Sequence, residues 1–442
     1  MKSTRLIIVV AAVSVTAASF LADQRLRAIG SSQNTKPAKT GSTMIPQFQY
    51  DKTWPREPLP AQWKLGQVVG VHVDSRDNVW IIQRPASLKN SEKEATDLAT
   101  YGAPAGRGAG AGGARGGGAG GRAGGDAGAT GNISAATGPL AACCKPAPPV
   151  IAFDPEGTVI LSWGGPGQGF EWPTPAPRSP DSGLGSGPFG EHAVFSDFND
   201  NVWVGADGPG DGQILKFTRF GKFELQIGHA GGMSKGSNDL ENLNGAQQIA
   251  VDPRTNEVFV ADGLRNHRVV VFDGTTGKYL RHWGAYGNKP EDEAAAVKYD
   301  PKVRSKQFGE VHGIALSRDG LVYVCDRTND WVQVFRTDGT FVKEGLVAPG
   351  TLGGSAYEIA FSADPDQRYA YVVDGMNERV WILLRDSLET IGSFGYGGHY
   401  GGAFDAAHSI ATDSRGNIYV GETWESKRVQ RFLYKGLAPA SR

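Results

Sequence analysis

The chain has 442 residues, of which 40% are hydrophobic and 10% aromatic, so it can bury a large core as several domains or as one repeat architecture. Its 45 Lys and Arg side chains nearly balance 46 Asp and Glu side chains, which leaves a net charge of -1. This balance argues against nucleic acid or an anionic membrane surface as a partner and favours a small molecule or a peptide.

The N-terminus has the pattern of an export signal. Lys2 and Arg5 precede an uncharged apolar run over residues 6–22. We therefore expect residues 1–22 to be a signal peptide and the protein to be exported, either periplasmic or secreted. An uncleaved membrane anchor is the alternative, because the run is slightly long for a signal. Residues 23–45 are polar and unpatterned, which is typical of a disordered tether.

From residue 46 onward the sequence repeats one pattern: a short strand, a turn with Gly or Asn, an aromatic-rich second strand, and a third strand. The second strands of the six copies are Asn78–Ile82, Asn201–Val204, Glu257–Val260, Leu321–Val324, Ala370–Val373 and Asn417–Val420. Antiparallel meanders at a spacing of about 45 residues, separated by Gly-rich turns, indicate a β-propeller. The sequence therefore predicts an all-β, six-bladed β-propeller over residues 46–442.

Two segments modify this plan. Residues 103–131 are almost entirely Gly and Ala, and such a run buries too little apolar surface to offset its ordering entropy, so we expect a disordered insert. The last copy runs out of chain soon after Val429 and lacks an outer strand. We expect residues 47–65 to supply it, because an unpaired edge strand is prone to aggregation. The ring would then be closed by both ends of the chain.

Three cysteines are too few for a disulfide framework, even in an oxidising compartment. Cys143 and Cys144 are adjacent. They either bond to each other and leave Cys325 buried and free, or one of them bonds to Cys325. Metal ligation by the adjacent pair is a third alternative.

One position of the first strand lies beside the central channel of a propeller. In blade order it holds Val69, His192, Gln247, His312, Tyr357 and His408. The histidines occupy blades two, four and six, which stand about 120° apart, so their imidazoles point to one spot on the axis. Three neutral histidines with one open coordination position are typical of catalytic zinc. The sequence thus predicts a metal ion, expected to be zinc, on these three ligands.

The ends of the second strands form another aligned position. It holds acidic residues that we expect to accept backbone N–H bonds from the following turn, namely Asp262, Asp326, Asp374 and Glu422. The next residue is Arg84 in blade one and Arg327 in blade four. These two arginines face each other across the ring and suit bidentate binding of a substrate carboxylate. Surface salt bridges are the alternative role for both arginines.

Residues 262–268, 308–313 and 326–329 resemble the repeats of NHL propellers, and within these the chain resembles peptidyl-α-hydroxyglycine α-amidating lyase over about residues 60–435. The resemblance implies three axial zinc ligands, matched by the three histidines, and arginines matched by Arg84 and Arg327. It also implies that zinc binds the α-hydroxyl oxygen while arginine holds the carboxylate. The C–N bond of a peptidyl hydroxyglycine is then cleaved to a peptide amide and glyoxylate.

The chain departs from that family at three points. Leu264 stands where the family has a catalytic tyrosine after Asp-Gly of the third blade. Ser409 replaces the aspartate that helps to hold a structural calcium, so calcium is not expected, and the paired cysteines of the family are missing. Tyr357 is our candidate for the missing base, because a phenol beside the metal would lose its proton more readily. A packed axial tyrosine is the alternative.

These observations favour a zinc-dependent lyase, with Arg84 and Tyr357 catalytic and Arg84 and Arg327 binding the carboxylate of a small-molecule or peptide substrate. A lactonase-like metal hydrolase is a second hypothesis, in which Glu358 or a neighbouring acid would join the ligands. A non-catalytic exported binding module is the third. We expect a monomer that contacts a membrane only through an uncleaved N-terminal segment.

Overall fold

The computed structural model describes residues 44–93, 141–178, 187–232, 234–295, 300 and 302–439. The predicted signal peptide, the tether up to residue 43 and the Gly/Ala insert at 103–131 lie outside these residues. Within them the secondary structure is almost entirely β-strand, with a single α-helical turn at Asp292–Ala295. No helix in this described part of the chain is long and apolar enough to span a membrane.

The strands form six four-stranded antiparallel sheets. Blade one contains β3 (Gln67–Val73), β4 (Val79–Arg84), β6 (Val150–Phe153) and β7 (Val159–Trp163). Blade two contains β8 (Glu191–Ser196), β9 (Asn201–Ala206), β10 (Asp211–Thr218) and β11 (Phe223–Ala230). Blade three contains β12 (Ala246–Val251), β13 (Glu257–Asp262), β14 (Arg268–Asp273) and β15 (Tyr279–Trp283).

Blade four contains β16 (Val311–Leu316), β17 (Leu321–Asp326), β18 (Trp331–Arg336) and β19 (Phe341–Leu346). Blade five contains β20 (Glu358–Phe361), β21 (Tyr369–Asp374), β22 (Arg379–Leu384) and β23 (Glu389–Phe394). Blade six contains β24 (Ala407–Thr412), β25 (Ile418–Glu422), β26 (Val429–Pro439) and β1 (Met44–Tyr50). The inner strands contact one another in sequence, and β24 contacts β3 to complete the ring. The prediction of a six-bladed β-propeller is confirmed.

The ring is closed by the N-terminal strand. β1 pairs antiparallel with β26, so that Met44 lies opposite Pro439 and Tyr50 opposite Phe432. The closure was predicted, but the strand lies at 44–50 rather than within 47–65. The strand ends at Tyr50, where Asp51 begins a turn by accepting the N–H of Thr53 at 2.9 Å. The segment that follows buries Trp54 against Phe153 and Tyr419.

The repeat pattern follows from how neighbouring blades pack. The aromatic residue in the middle of each second strand is at most 1% exposed, at Trp80, Trp203, Phe259, Tyr323, Tyr371 and Tyr419. Buried indole and phenol groups need a hydrogen-bond partner. Asp74 accepts from the Trp80 ring at 3.0 Å, and Asp197 does the same for Trp203 at 2.9 Å. One turn aspartate therefore supports both the turn and the interblade core.

A β-bulge explains why the predicted channel position faces the axis. In five blades the pairing of the inner strand is interrupted. Two residues are skipped between Glu191 and Val194, and one is skipped between Val68/Gly70, Ala246/Gln248, Val311/Gly313 and Ala407/Ser409. The skipped residues include each channel residue of those blades. A bulged residue is released from the ladder and its side chain is redirected. In blade five Tyr357 immediately precedes β20.

Cys143 and Cys144 form a disulfide with each other, and Cys325 is free and fully buried in β17. Of the three alternatives open from sequence, the structure contains the vicinal bond. It excludes a bond to Cys325 and metal ligation by the adjacent pair.

The acidic residues at the ends of the second strands are structural, as predicted, but most of them support a different segment. Asp262 accepts the N–H of Asn244, and Asp326 accepts those of Gly309 and Glu310. These donors precede the inner strand of the same blade. Of the four, Asp374 alone accepts backbone N–H groups of the described residues in the turn that follows it. Most of these carboxylates therefore hold the segment that leads into the inner strand of the blade, and this positions the residues around the channel.

Candidate metal centre

His192, His312 and His408 meet on the axis of the propeller. The centroids of their rings are 5.2, 4.9 and 4.8 Å apart, which makes a nearly equilateral triangle. One nitrogen from each ring lies within 4.8 Å of the others, and His192 and His312 are only 3% and 1% exposed. Because the three residues come from alternate blades, no two of them compete for the same space.

The backbone of the next blade orients each imidazole. The Nδ1 atoms of His192, His312 and His408 lie 2.7, 3.0 and 2.9 Å from carbonyl oxygens. These carbonyls belong to Gln247, Tyr357 and Val69, which are the channel residues of the blades without histidine. A carbonyl only accepts, so each Nδ1 carries the proton and Nε2 keeps the lone pair that ligates metal.

Gly313 makes this arrangement possible between blades four and five. A Cβ at this position would lie 2.5 Å from the Tyr357 oxygen, which accepts the hydrogen bond from His312. Any larger residue would therefore separate the two strands and move the carbonyl. The glycine after the blade-four histidine serves the orientation of the ligand.

The histidines are suited to be neutral ligands. Burial holds the pKa of His192 and His312 well below the usual range and lowers that of His408 to about 3, and the charge of Arg84 acts in the same direction on His408. Nε2 of His312 is buried and has no hydrogen-bond partner among the described residues. Such an orphaned buried atom is costly, and a cation on the axis would satisfy it.

A cavity opens beside His408. Its walls carry the side chains of Gln67, Arg84, Arg178, Arg327, Tyr357, Met376, Thr423 and Trp424. Both arginines predicted from sequence therefore line one cavity next to the histidines.

Arg84 is a buried cavity residue rather than part of a surface salt bridge. It is 4% exposed, and its Nε donates to the Glu191 carbonyl at 2.7 Å. Its Nη2 lies 2.8 Å from Oδ2 of Asp207, as an ion pair. Oδ2 of Asp207 is also 4.0 Å from Nε2 of His192. These contacts hold the Arg84 guanidinium close to the three histidines.

Arg327 and Tyr357 form the opposite part of the wall. Nη1 of Arg327 lies 3.2 Å from Oε1 of Glu310, and the guanidinium carbon is 4.2 Å from the centroid of the Tyr357 ring. Burial raises the pKa of Tyr357 to about 12, although the charge of Arg327 opposes this shift. The protein's own groups therefore favour the protonated phenol, and the expectation that a metal beside Tyr357 makes it a base stays a prediction. At neutral pH Tyr357 carries a proton and can donate it.

Arg178 is a cavity residue that the sequence analysis missed. It lies in the connection between β7 and β8, outside the repeated strands, so no alignment of blades points to it. Its Nη2 donates to Oδ2 of Asp207 at 3.1 Å, and its guanidinium stacks 4.2 Å from the centroid of the Phe189 ring. In the sequence, the only feature that distinguishes Arg178 is the Ser-Pro dipeptide that follows it.

Other predicted residues lie elsewhere. Leu264 is half-buried and does not line the cavity. Glu358 is 2% exposed, accepts the N–H of Ile410 at 3.2 Å and lines a separate cavity with Gln248. Within the described residues, the cluster that could hold a metal comprises the three histidines alone. Glu358 is therefore not part of the ligand set that the lactonase-like hypothesis required.

The donor set fits a borderline transition metal. Three neutral imidazole nitrogens with space on the cavity side suit zinc and, less selectively, other divalent first-row metals. Hard cations such as calcium prefer oxygen ligands, which this cluster does not offer. A metal held by these three nitrogens would be a Lewis acid beside the cavity that Arg84 and Arg327 line.

Comparison with known family models matches one part of the chain. The family model described as NHL repeat matches residues 308–335, so the predicted NHL repeat is found in blade four. Among solved structures, a streptogramin B lyase aligns at a TM-score of 0.43 and 9% identity, over 89% of this chain and 98% of that chain.

The chain is also similar to two curated proteins. The peptidylglycine alpha-amidating monooxygenase of Rattus norvegicus is 28% identical over 241 residues, which cover 52% of this chain and 22% of the relative. The NHL repeat-containing protein 3 of Mus musculus is 25% identical over 253 residues, or 56% of this chain and 66% of that protein. The chain thus spans about a fifth of the length of the amidating relative.

Proposed function

We propose that this protein is a metal-dependent lyase, with zinc as the metal, which cleaves the C–N bond of an N-acylated α-hydroxyglycine to an amide and glyoxylate. The observation that carries the proposal is that His408 of the three-histidine cluster lines the same cavity as Arg84 and Arg327. The similarity to amidating monooxygenases and the resemblance to the amidating lyase support it.

The reaction needs only a proton to be moved. The α-hydroxyl loses its proton, its oxygen forms the carbonyl of glyoxylate, and the electron pair of the C–N bond goes to the leaving nitrogen. That nitrogen takes up one proton and becomes the amide, so no water is consumed. A zinc ion on His192, His312 and His408 would lower the pKa of a hydroxyl group bound to it.

Arg84 and Arg327 bind and orient the substrate carboxylate in this proposal. Both guanidiniums are buried and are already held by Asp207 and Glu310, so little side-chain entropy remains to be lost on binding. Because the carboxylate is attached to the carbon that carries the hydroxyl, holding it also places the hydroxyl oxygen toward the histidines.

In this proposal Tyr357 donates a proton to the leaving nitrogen and takes one back from the substrate hydroxyl, so the phenol is regenerated in each turnover. Its ring centroid is 5.1 Å from that of His312 and 5.8 Å from that of His408, and a phenol with a raised pKa keeps its proton at neutral pH. A hydrogen bond from this phenol to the leaving nitrogen would favour C–N cleavage.

We also propose that the protein is exported. The basic start and apolar run of residues 1–22 support this, and cell fractionation with N-terminal sequencing of the mature chain tests it. Retention of the protein in the cytoplasm with an intact N-terminus would refute it.

The proposed activity is tested by metal analysis together with glyoxylate release from α-hydroxyhippurate. We expect about one zinc per chain and stoichiometric benzamide and glyoxylate, with Arg84→Ala losing about 100-fold or more in kcat/KM. Arg76→Ala, which removes an exposed arginine paired with Asp200, is the control. A metal-free protein without glyoxylate release would instead support an exported binding module.

A further inference from the structure

The mouth of the cavity contains one more arginine than the proposed reaction uses. The carboxylate of an α-hydroxyglycine is assigned to Arg84 and Arg327, which leaves Arg178 without a role. Its side chain is 14% exposed and lines the same cavity. We infer that Arg178 forms a second anion subsite, so that the substrate carries another carboxylate on its acyl group. This inference rests on the proposed function.

Contacts with Asp207 and Phe189 fix the position of the Arg178 side chain. Asp207 binds Arg178 with the same Oδ2 atom that contacts Arg84, and the Phe189 ring supports the flat side of the guanidinium. Burial lowers the pKa of Arg178, and the charges of Arg84 and Arg327 lower it further, although Asp207 opposes them. A guanidinium held at such a cost in a cavity wall is typical of anion recognition.

Arg178 also has hydrogen-bonding capacity to spare. Its single hydrogen bond among the described residues goes from Nη2 to Asp207, whereas a guanidinium has five N–H donors. Donors at a partly desolvated wall favour a ligand acceptor, because leaving them unpaired is costly. A carboxylate, which accepts two parallel N–H bonds, matches this geometry.

The charges of the cavity point to a dianion. Arg84 and Arg178 share the carboxylate of Asp207, whereas Arg327 is paired with Glu310. A divalent metal on the histidines would add two positive charges. A substrate with one carboxylate leaves an excess of positive charge in a buried space, whereas a second carboxylate offsets it.

The test is isothermal titration of the metal-loaded protein with two glycine derivatives that lack the α-hydroxyl and so cannot react. N-succinylglycine carries the second carboxylate, and N-butyrylglycine has a methyl group in its place. We expect N-succinylglycine to bind about 10- to 100-fold more tightly, as a charge-assisted hydrogen bond allows. Arg178→Gln should abolish this difference while leaving the binding of N-butyrylglycine unchanged, and Arg178→Lys should restore part of it.

Arg265→Gln is the matched control. Arg265 stacks on the same Phe189 ring at 5.3 Å but donates to the backbone carbonyls of Asp207 and Gly208 and does not line the cavity, so the preference should survive. Equal binding of the two ligands to the native protein would overturn the inference. Equal weakening of both by Arg178→Gln would also overturn it, since Arg178 would then serve the shared carboxylate.

The same experiment separates this inference from the lyase proposal. If the preference for N-succinylglycine is present but its α-hydroxy counterpart releases no glyoxylate, the subsite stands and the lyase proposal fails. If glyoxylate is released without any preference, the lyase proposal stands and the second subsite is refuted.

Discussion

Replacing His312 with alanine tests the metal centre most directly. His312 is the most buried of the three histidines at 1% exposure, and its Nε2 is the orphaned atom that a cation would satisfy. At a metal concentration 100 times the Kd, binding to the folded state stabilises it by about 2.7 kcal/mol. For the roughly 335 residues that the structure describes, the unfolding entropy is about 0.7 kcal/mol/K, so zinc should raise the Tm of the native protein by about 4 °C.

His312→Ala should lose the bound zinc and this shift in Tm, because two imidazoles retain metal weakly. Differential scanning fluorimetry of protein stripped with chelator, with and without added zinc, measures the shift, and mass spectrometry of metals gives the stoichiometry. His72→Asn is the control, since His72 is also on an inner strand but stacks on Phe195, 4.1 Å away, and lines a different cavity. A folded His312→Ala variant that still binds one zinc per chain would refute the assignment.

Four further outcomes are expected. Tyr357→Phe should keep its zinc but lower kcat by about tenfold or more, and an unchanged kcat would exclude its proton from the reaction. Gly313→Ala should weaken zinc affinity by about 10- to 100-fold in a chelator competition, because it displaces the carbonyl that orients His312; unaltered affinity would contradict this. Phe48→Ala should cost about 2 to 3 kcal/mol in urea unfolding, since Phe48 packs on two rings of blade five, and a cost below about 0.5 kcal/mol would mean that β1 does not stabilise the closure. Without metal, stability should fall as the pH drops from about 6.5 toward 3, by at most about 1.4 kcal/mol per unit for His408, because its folded pKa of about 3 lies below that of an unfolded imidazole and the unfolded chain binds the proton first. His408→Asn should flatten that slope between pH 7 and 5, and an identical slope would count against the buried neutral state.

The periodicity of the strands allowed the fold to be predicted from the sequence. Six second strands with a central aromatic residue specify six blades, because each blade packs through the same ring against its neighbour. The channel position could be read in the same way, since a position that recurs in every blade is placed by symmetry on one axis. His192, His312 and His408 were therefore identifiable as neighbours although they are far apart in the chain.

Features outside the repeat depended on the tertiary structure. Arg178 comes from an irregular connection, and the position of such a segment is determined by contacts with Asp207 and Phe189 rather than by a pattern. The pKa of Tyr357 likewise depends on burial, which acts against the effect expected of a nearby cation. The extent of β1 was also decided by packing, because Phe48 finds its partners only when blade five is in place.

The sequence by itself thus determined the number of blades, the closure of the ring by the N-terminal strand and the convergence of three histidines, because all three follow from periodicity. Only the tertiary structure decided the tautomer of each histidine, the grouping of three arginines around two carboxylates and the protonation of Tyr357. These properties arise from distances and desolvation between segments that no spacing along the chain encodes.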